Sequence, residues 1–519
     1  MKKTTISILN KFIASLMLVF LSFCSKETFE TSEQYKDAMM YAPIIDLKTK
    51  SDEFSFYVSL EMARYFADSF KEDGRFVSEE ILSYKEDTLA YLYNYKDGWK
   101  LISADRRTEP ILASEKRGCF SIDKIDNPGV SLWLDSAMKQ IMVIRRDGAK
   151  QYDEETYKMW DAIHDNCVRK KMMNEPIQTK TYIDSLDGDY PYYIRKWSQT
   201  STIEYTMNSG HLIQTKWGQG NRLHFWNQNM LFGWSNRDSI SKRCVLGCFP
   251  VAVSQMLYYL HYKIGKPSGL YHNISTYGYK IDKNNGTQGI SRGDFTYPSP
   301  RWDQMAKDSF EEHIDYVGDF IIDVGFRMGT KYSADESSAN LSTSHLSNFG
   351  ITFDQSEYVK STVYNQIIQD KPTIVTAFHT YSFFSGFDGG HAWIIDGWIK
   401  KRYNYLTTYQ WIVIGSRNDE ENIDWSDHSI TRYSYEDGLL LSGGDEYTYS
   451  SGQTSEFDYL LMNWGWDNRF DDAEYSANTA DYWTISYTNQ SGEYVSNTYK
   501  FDVNICFNFR SNGLPETAL

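Results

Sequence analysis

Residues far apart in the chain could together perform nucleophilic chemistry: Cys248, His391, Asn463 and, upstream of them, Gln219. Cys248 opens the run Cys248-Phe249-Pro250-Val251-Ala252-Val253-Ser254-Gln255-Met256. There Val251, Ala252, Met256 and Leu260 recur near helical spacing, and Val253 and Leu257 widen the apolar face. Pro250 falls in the first turn, where a missing N–H costs nothing, so the helix is expected to begin close to Cys248. Unpaired N–H groups and the positive end of the helix dipole would point at the thiol, a field that favours thiolate over thiol. A lone cysteine reads equally well as a small core residue, so the argument turns on what accompanies it.

His391 lies in Gly389-Gly390-His391-Ala392-Trp393-Ile394-Ile395-Asp396-Gly397, at the start of an apolar strand behind two glycines that permit close approach of a substrate backbone. Histidine is the side chain that serves as base and acid near neutral pH, although one at a strand end is commonly an ordinary half-buried ring. Asn463 precedes Trp464-Gly465-Trp466. Its amide could hold an imidazole through the ring N–H, with the tryptophans, Trp464 first, covering that bond from water; asparagine before glycine is also a common turn. Gln219 could donate its side-chain amide to an oxyanion, or be a surface glutamine. Taken together, a cysteine at a helix start, then a histidine starting a strand, then an asparagine followed by tryptophan, is the chain order of a Cys-His-Asn nucleophilic site. No metal or organic cofactor is called for. The chain has no H-E-x-x-H, G-x-S-x-G, Walker or G-x-G-x-x-G motif. The acidic run 419–427 lacks the spacing of an EF-hand, and His211 and His224 are too isolated to suggest metal binding.

The elements that must position these residues are legible in outline. Leu89 to Tyr95 and Trp99 to Ala104 read as strands of a hairpin around Lys96-Asp97-Gly98. Leu134, Ala137, Met138, Ile141 and Ile144 give one face of a helix. A second long helical pattern runs from Trp302 to Gly325 through Met305, Ala306, Phe310, Ile314, Val317, Ile321 and Val324. Strands are predicted at Thr373 to Phe378, Ala392 to Trp398 and Tyr459 to Trp464, with two closing strands within 480–510. Helices first and strands later make the second half α+β. Residues 168–200 are polar with Lys and Arg sites suited to nicking, which places a processing boundary within 175–205.

At 519 residues the chain can hold two or three domains. Its net charge of −16, without a Lys/Arg-rich run, argues against nucleic-acid binding and is most simply a solubility feature. Six cysteines are too few to form the framework of an exported chain of this size, and their spacing fits no zinc pattern. The three beyond residue 200 leave at least one without a partner in that half, and Cys248 is the candidate. Lys2, Lys3 and Lys11 precede an apolar run from Phe12 to Phe23 that is too short to span a bilayer as a mature helix. Residues 1–23 therefore read as a signal of bacterial lipoprotein type, with Cys24 the lipidated first mature residue. Phe23, bulkier than the residue usual there, keeps simple secretion as the alternative.

These stretches resemble the streptopain family of cysteine peptidases, a papain-like group of secreted bacterial enzymes. Gly247-Cys248 with Ala252 and Gln255-Met256 is similar to that family's nucleophile helix, Gly390-His391-Ala392 through Asp396-Gly397 to its histidine strand, and Asn463-Trp464-Gly465-Trp466 to its NWGW element. Gln219-Gly220-Asn221 resembles its oxyanion-side segment. Gly98 to Asp105 and Glu109-Pro110-Ile111-Leu112-Ala113 resemble its inhibitory pro-domain. The resemblance implies an α+β fold: a papain-like peptidase domain with a helical half and an antiparallel β half, preceded by an α+β pro-domain. It implies Cys248 as nucleophile, His391 as general base and then acid, Asn463 orienting His391, Trp464 shielding the pair, and Gln219 with the Cys248 backbone N–H forming an oxyanion hole. The expected layout is a signal at 1–23, a tether at 24–50, an inhibitory pro-domain at 51–200 and a peptidase domain at 201–519. His391 and Asn463 stand 72 positions apart, beyond the family spacing, so residues 400–456 are expected to be an insertion between two strands. After NWGW the family usually continues with Gly, where this chain has Asp467-Asn468, and Gln219-Gly220-Asn221 is not followed by Pro. The implied partners are protein or peptide substrates and the chain's own pro-domain as an intramolecular inhibitor, with no nucleic acid and contact with a membrane only through a lipid anchor. The implied location is the bacterial cell envelope, at the outer membrane or cell surface, or the secreted fraction. An inactive binding protein of the same fold, or an amidase or acyl-transferase using the same triad, are the alternative functions.

Overall fold

The structure is a computed structural model that describes residues 56–70, 74–146, 155–164, 192–219, 246–263, 279–281, 290–292, 300, 302–305, 307, 314–332, 337–338, 349–379, 389–414, 430–433, 447–466, 470–478, 483–488, 494–499 and 503–511. The signal, Cys24 and the tether lie outside these residues, as do Cys167 and Cys244. Among the described residues no helix is long and apolar enough to cross a membrane.

The first half builds a meander flanked by helices. Ser59 starts helix α1 (Leu60–Ser69) by accepting the Met62 N–H on its hydroxyl at 3.1 Å. Strands β1 (Phe76–Tyr84), β2 (Asp87–Tyr95), β3 (Gly98–Ser103) and β4 (Ile111–Glu115) follow as antiparallel neighbours. The predicted hairpin is present, pairing Ala90 with Ser103 through to Tyr95 with Gly98. Helix α2 (Pro128–Arg146) begins where the Asn127 side chain accepts the Gly129 and Val130 N–H groups at 3.0 and 3.3 Å, with Pro128 in the position that needs no donor. The predicted face Leu134, Ala137, Met138, Ile141 and Ile144 is fully buried. Asp105, buried in the link between β3 and β4, is held by Arg107 at 2.8 Å and by Arg145 of α2 at 3.1 Å, so this buried charge is neutralised and ties the meander to the helix. Helix α3 (155–164) adds Met159, Trp160 and Ile163 to the core.

The second half contributes β5 (Tyr192–Asn208), α4 (Cys248–Lys263), α5 (Ile314–Arg327), β6 (Ile351–Glu357), α6 (Lys360–Ile367) and β7 (Thr373–His379). After these come β8 (Gly389–Ile414), β9 (Ile430–Tyr433), β10 (Tyr447–Asn463), β11 (Glu474–Ser476) and β12 (Val503–Ser511). One antiparallel sheet runs through both halves in the order β1-β2-β3-β4-β11-β10-β8-β7-β12-β6. Strand β8 takes β10 along one edge; along the other it takes β7 at 389–395 and β5 at 399–414, and β9 adds to β5.

Side chains alternate along β8, so the sheet has two buried faces. Ala392 and Ile394 pack with α4 and α5, in a core holding Val251, Met256, Val317 and Ile321. Trp393 and Ile395 point the other way, into a core shared with Leu134, Ala137, Met138 and Ile141 of α2 and with Val363 and Ile367 of α6. Helices on an antiparallel sheet give the expected α+β class. The first half is therefore not a separate ball; it completes one face of the sheet that the second half builds.

Several sequence expectations change in detail. The helix predicted from Trp302 to Gly325 is two pieces. Trp302–Gln304 is a single 3-10 turn, closed by the Met305 N–H on the Trp302 carbonyl; Met305 and residue 307 are not helical, and among the described residues the α-helix covers Ile314–Arg327. Met305 is buried outside the helix, and Ala306 and Phe310 lie outside the described residues. In 480–510, strands 483–488 and 494–499 pair with each other as a hairpin, and β12 is the segment that enters the main sheet. The expected insertion at 400–456 is, where described, an outgrowth of β8 and β10 themselves, paired from Lys400↔Asp458 to Trp411↔Tyr447. Strand β5 runs across the boundary expected at 200, bound to this outgrowth from Ile399↔Asn208 to Ile414↔Tyr192. First-half aromatics meet the same ribbon: the Phe70 ring lies 5.2 Å from Tyr403, and the Tyr65 and Tyr405 hydroxyls are 2.9 Å apart.

Candidate active site

Helix α4 starts at Cys248, as its Pro250 and apolar pattern predict. Gly247 turns the chain into the helix at φ +91°, a conformation that side chains resist, and its carbonyl accepts the Val251 N–H at 3.2 Å. The helix buries residues on every side, including Ser254 and Gln255, so it is a central element rather than an amphipathic one. Cys248 is buried, and Cys119, Cys248 and Cys506 are all outside disulfides. Burial raises the Cys506 thiol far above its ordinary range, as befits a core residue.

His391 faces Ala377 across the β7–β8 ladder and is 3% exposed. Its Nε2 lies 2.9 Å from the Trp464 backbone carbonyl. A carbonyl oxygen only accepts, so Nε2 carries the proton and Nδ1 is the basic nitrogen. Burial pulls the imidazole down to about 4, with the Trp464 hydrogen bond opposing this more weakly, so the ring is neutral at neutral pH.

Asn463 ends β10 opposite Ile394. The direct hydrogen bond expected between Asn463 and His391 is replaced by one through the next residue, and the physical reason is saturation. The Asn463 Nδ2 donates to the Thr215 carbonyl at 2.8 Å and to Gln255 Oε1 at 3.2 Å, while its Oδ1 accepts from Gln255 Nε2 at 3.0 Å and from the Gly465 N–H at 3.2 Å. Two donors and two lone pairs are all used. Trp464 thus reaches the histidine with its carbonyl. Its ring is fully buried 5.1 Å from Trp393 and 5.2 Å from Tyr475, with the indole N–H donating to the Phe470 carbonyl and the Tyr475 hydroxyl. Gln219 is buried beside the same turn, its backbone N–H donating to the Gly465 carbonyl at 3.1 Å. The structure therefore links His391, Asn463, Trp464 and Gln219 at the turn after β10, and ties that turn through Gln255 to α4, the helix that Cys248 begins.

Two residues that lie in the matched stretches, but to which the sequence assigns no role, complete the junction. Gln255 joins α4 to Asn463. Asp396, fully buried, accepts the Ile213 N–H at 3.0 Å and meets His211 Nδ1 at 2.9 Å, anchoring the segment that leads to Gln219. Their signal in the sequence is a polar residue on an otherwise apolar helix or inward strand face, at a position that must be hydrogen-bonded once buried. Gly129, at the start of α2, gives no such signal. A Cβ there would stand 2.8 Å from His391 Cδ2 and 2.3 Å from Trp464 Cε3, so the first half lies directly on the histidine.

Three further groups hold their protons more tightly than usual. Burial pushes Asp471 up to about 7, although its carboxylate accepts the Trp464 N–H at 3.1 Å. Burial likewise lifts Glu115 to about 7, against the Trp99 indole hydrogen bond and with Asp472 reinforcing. For His211, burial favours the neutral form, but the attraction and hydrogen bond of Asp396, helped by Asp471 and Asp472, outweigh it and raise the pKa. All three hold protons more tightly folded than unfolded, so the stability linked to them is full at low pH and falls as pH rises through their folded values. His391 acts oppositely, but only up to its unfolded value of about 6.5. The decline is unopposed above that. The Tm of the Cys248→Ala chain is expected to fall by roughly 5 °C between pH 6 and pH 8; an equal or higher Tm at pH 8 would contradict these assignments.

No curated protein sequence matches the chain significantly. Among solved structures, a fragment of prointerpain A from Prevotella intermedia, in a cysteine-to-alanine mutant, is similar at 14% identity and a TM-score of 0.42, covering 84% of this chain and 100% of that one. Active wild-type interpain A cysteine protease from the same organism is similar at 16% identity and a TM-score of 0.33, covering 58% of this chain and 95% of that one. The model of the Peptidase C10 family matches residues 226–473, from ahead of Cys248 to beyond Trp464. Over that stretch the chain is similar to the Peptidase C10 family, the streptopain family of cysteine peptidases that its motifs resemble.

Proposed function

We propose that the chain is an exported zymogen whose second half is a cysteine endopeptidase using Cys248, His391 and Asn463. The observation that carries this reading is convergence. Asn463 is hydrogen-bonded to the helix that Cys248 begins, and the carbonyl of the next residue fixes the tautomer of His391. With Nε2 protonated, Nδ1 takes the proton of the Cys248 thiol, and the thiolate attacks a peptide carbonyl. The Cys248 N–H and the Gln219 amide serve the oxyanion. Nδ1–H then protonates the leaving amine, and a thioester remains. Water, deprotonated by Nδ1, attacks the thioester, releasing the acid and restoring the thiol.

In the covered state described, His391 is neutral and buried under Gly129. Maturation by removal of the first half is the step that uncovers it. We place the processing bond ahead of Tyr192, because a cut within 192–208 would strip a strand bound along 399–414 of β8. Export with lipidation at Cys24, or simple secretion, belongs to the same proposal and rests on the lysines and apolar run of residues 1–23.

The test is labelling of the chain, made without residues 1–24, by an irreversible epoxide inhibitor of cysteine peptidases, followed by intact mass and peptide mapping. Modification at Cys248 that appears as the first half is lost is the expected result. A form trimmed by an added protease whose Cys248 stays unlabelled would leave an inactive binding protein of this fold. Labelling without peptide hydrolysis, with product masses showing amide or acyl transfer, would identify the amidase or acyl-transferase alternative.

A further inference from the structure

We infer that Gln255 is the positioning residue of this site: its side-chain amide sets the turn whose carbonyl holds His391, and the same amide fixes the segment that carries Gln219. The inference rests on the cysteine-peptidase reading above and adds a residue to it.

Gln255 stands seven residues after Cys248. Two helical turns bring it to within about 20° of the same face, so nucleophile and amide project from α4 in one direction. The side chain is fully buried. A buried primary amide needs hydrogen-bond partners, and those it has here belong to the rest of the site. Its Oε1 accepts from the Thr215 hydroxyl at 2.9 Å, from the Trp217 N–H at 3.3 Å and from Asn463 Nδ2 at 3.2 Å. Its Nε2 donates back to Asn463 Oδ1 at 3.0 Å. Asn463 and Gln255 thus form a reciprocal amide pair, each giving and receiving one hydrogen bond.

The consequences run two ways. Through Asn463, whose Oδ1 also receives the Gly465 N–H, the pair fixes the 463–465 turn and hence the direction of the Trp464 carbonyl that His391 Nε2 meets. Through Thr215 and Trp217 it fixes the strip that ends at Gln219, which returns to the same turn by its N–H on the Gly465 carbonyl. One amide therefore registers the nucleophile helix, the general base and the oxyanion side against one another. Gln255 touches no reacting atom; it acts through Asn463 and Trp464. Low-dielectric burial makes such a network costly to leave half-satisfied.

The experiment uses the matured enzyme in three forms: wild type, Gln255→Met and Gln255→Glu. Methionine keeps the volume and removes both donor and acceptor. For Gln255→Met we expect kcat to fall by about 100-fold, as for a displacement of order 1 Å at the reacting groups, with KM little changed. The pH dependence of Cys248 alkylation by iodoacetamide should shift with it, because the base is no longer held. Glutamate keeps the accepting oxygen, but when ionised it presents a second acceptor to Asn463 Oδ1. When protonated it donates there as the amide does. Activity of Gln255→Glu is therefore expected to recover as pH falls, with an added ionisation that Gln255→Met lacks.

Wild-type kcat and an unshifted alkylation profile in Gln255→Met would overturn the inference. So would a Gln255→Glu profile parallel to wild type, or losses confined to Tm or KM. Should Gln255→Met fail to fold, the low-pH recovery of Gln255→Glu decides the question alone. Iodoacetamide alkylation needs no peptide substrate. A wild-type enzyme that alkylates at Cys248 but hydrolyses no peptide would therefore defeat the peptidase reading while leaving the role of Gln255 measurable.

Discussion

Replacing Cys248 by alanine is expected to abolish peptide hydrolysis, lowering kcat by about 10⁴-fold or more, because no other group in the site can form the thioester. The same change is expected to leave the fold intact. Cys248 is a small side chain at the first residue of α4, where Gly247 turns the chain and Pro250 needs no donor, so the helix start does not depend on the thiol. Loss of one sulfur from a buried site costs about 1 kcal/mol or less, a small part of the stability of a domain. The variant should therefore accumulate as the full-length precursor, with a Tm within a few degrees of the wild-type precursor. Peptide hydrolysis by the purified variant above one per cent of wild type would exclude Cys248 as nucleophile.

The second large effect is expected at Gly129, where enlarging one residue of the first half should unmask the second. The Cβ of Gly129→Leu would overlap the edge of the Trp464 ring and press against His391, and both are held in place, Trp464 by two hydrogen bonds from its indole and His391 by the Trp464 carbonyl. The start of α2, which carries the added bulk, is then expected to be the part that gives way. Overpacking of this kind costs about 1–3 kcal/mol. If that cost falls on the docked state, the open fraction rises by roughly 5- to 150-fold. Gly129→Leu is expected to mature faster by that order, and its uncleaved chain should take up the epoxide at Cys248 before any cut appears. A precursor as inert as wild type, with unchanged Tm, would show that α2 does not restrain the histidine. A large drop in Tm without early labelling would show general unfolding instead.

The sequence made some of this site legible because the relevant signals are local. Pro250 and the apolar spacing after Cys248 mark a helix start within a few residues. The glycines before His391 and the alternation after it mark a strand, and Asn463 before Trp464-Gly465 marks where one ends. Each depends on neighbours within a turn or two. What was hidden depends on distant pairing. Nothing near Asn463 announces that its amide is filled by Gln255 and Thr215, so the role given to it passed to the Trp464 carbonyl. The strand Tyr192–Asn208 was obscured by the Lys, Ser and Gln around it, although Thr202-Ile203-Glu204-Tyr205 alternates as a half-buried strand does. Its meaning appears only with β8 beside it. The helix read from Trp302 failed because spacing continued across a 3-10 turn by coincidence, and the i→i+3 bond that ends it leaves no trace in composition. That α2 lies against the peptidase sheet was also beyond local reading, since its apolar face looks the same whichever core it enters.

The seam between the two halves of the sheet has a consequence for what remains after excision. Strand β4 joins β11 by the pairs Ser114↔Glu474 and Ala113↔Tyr475, so under the proposed maturation, in which the first half is removed, β11 becomes a border of the sheet with main-chain groups open to any extended chain. That border is only Glu474–Ser476, and its first residue is a carboxylate that in the precursor is held by Lys401 and the Ser114 hydroxyl. So short and charged a margin offers a poor template for self-association between mature molecules. Shedding half of a shared sheet, a step that would leave a long apolar strand adhesive, here leaves a blunt end.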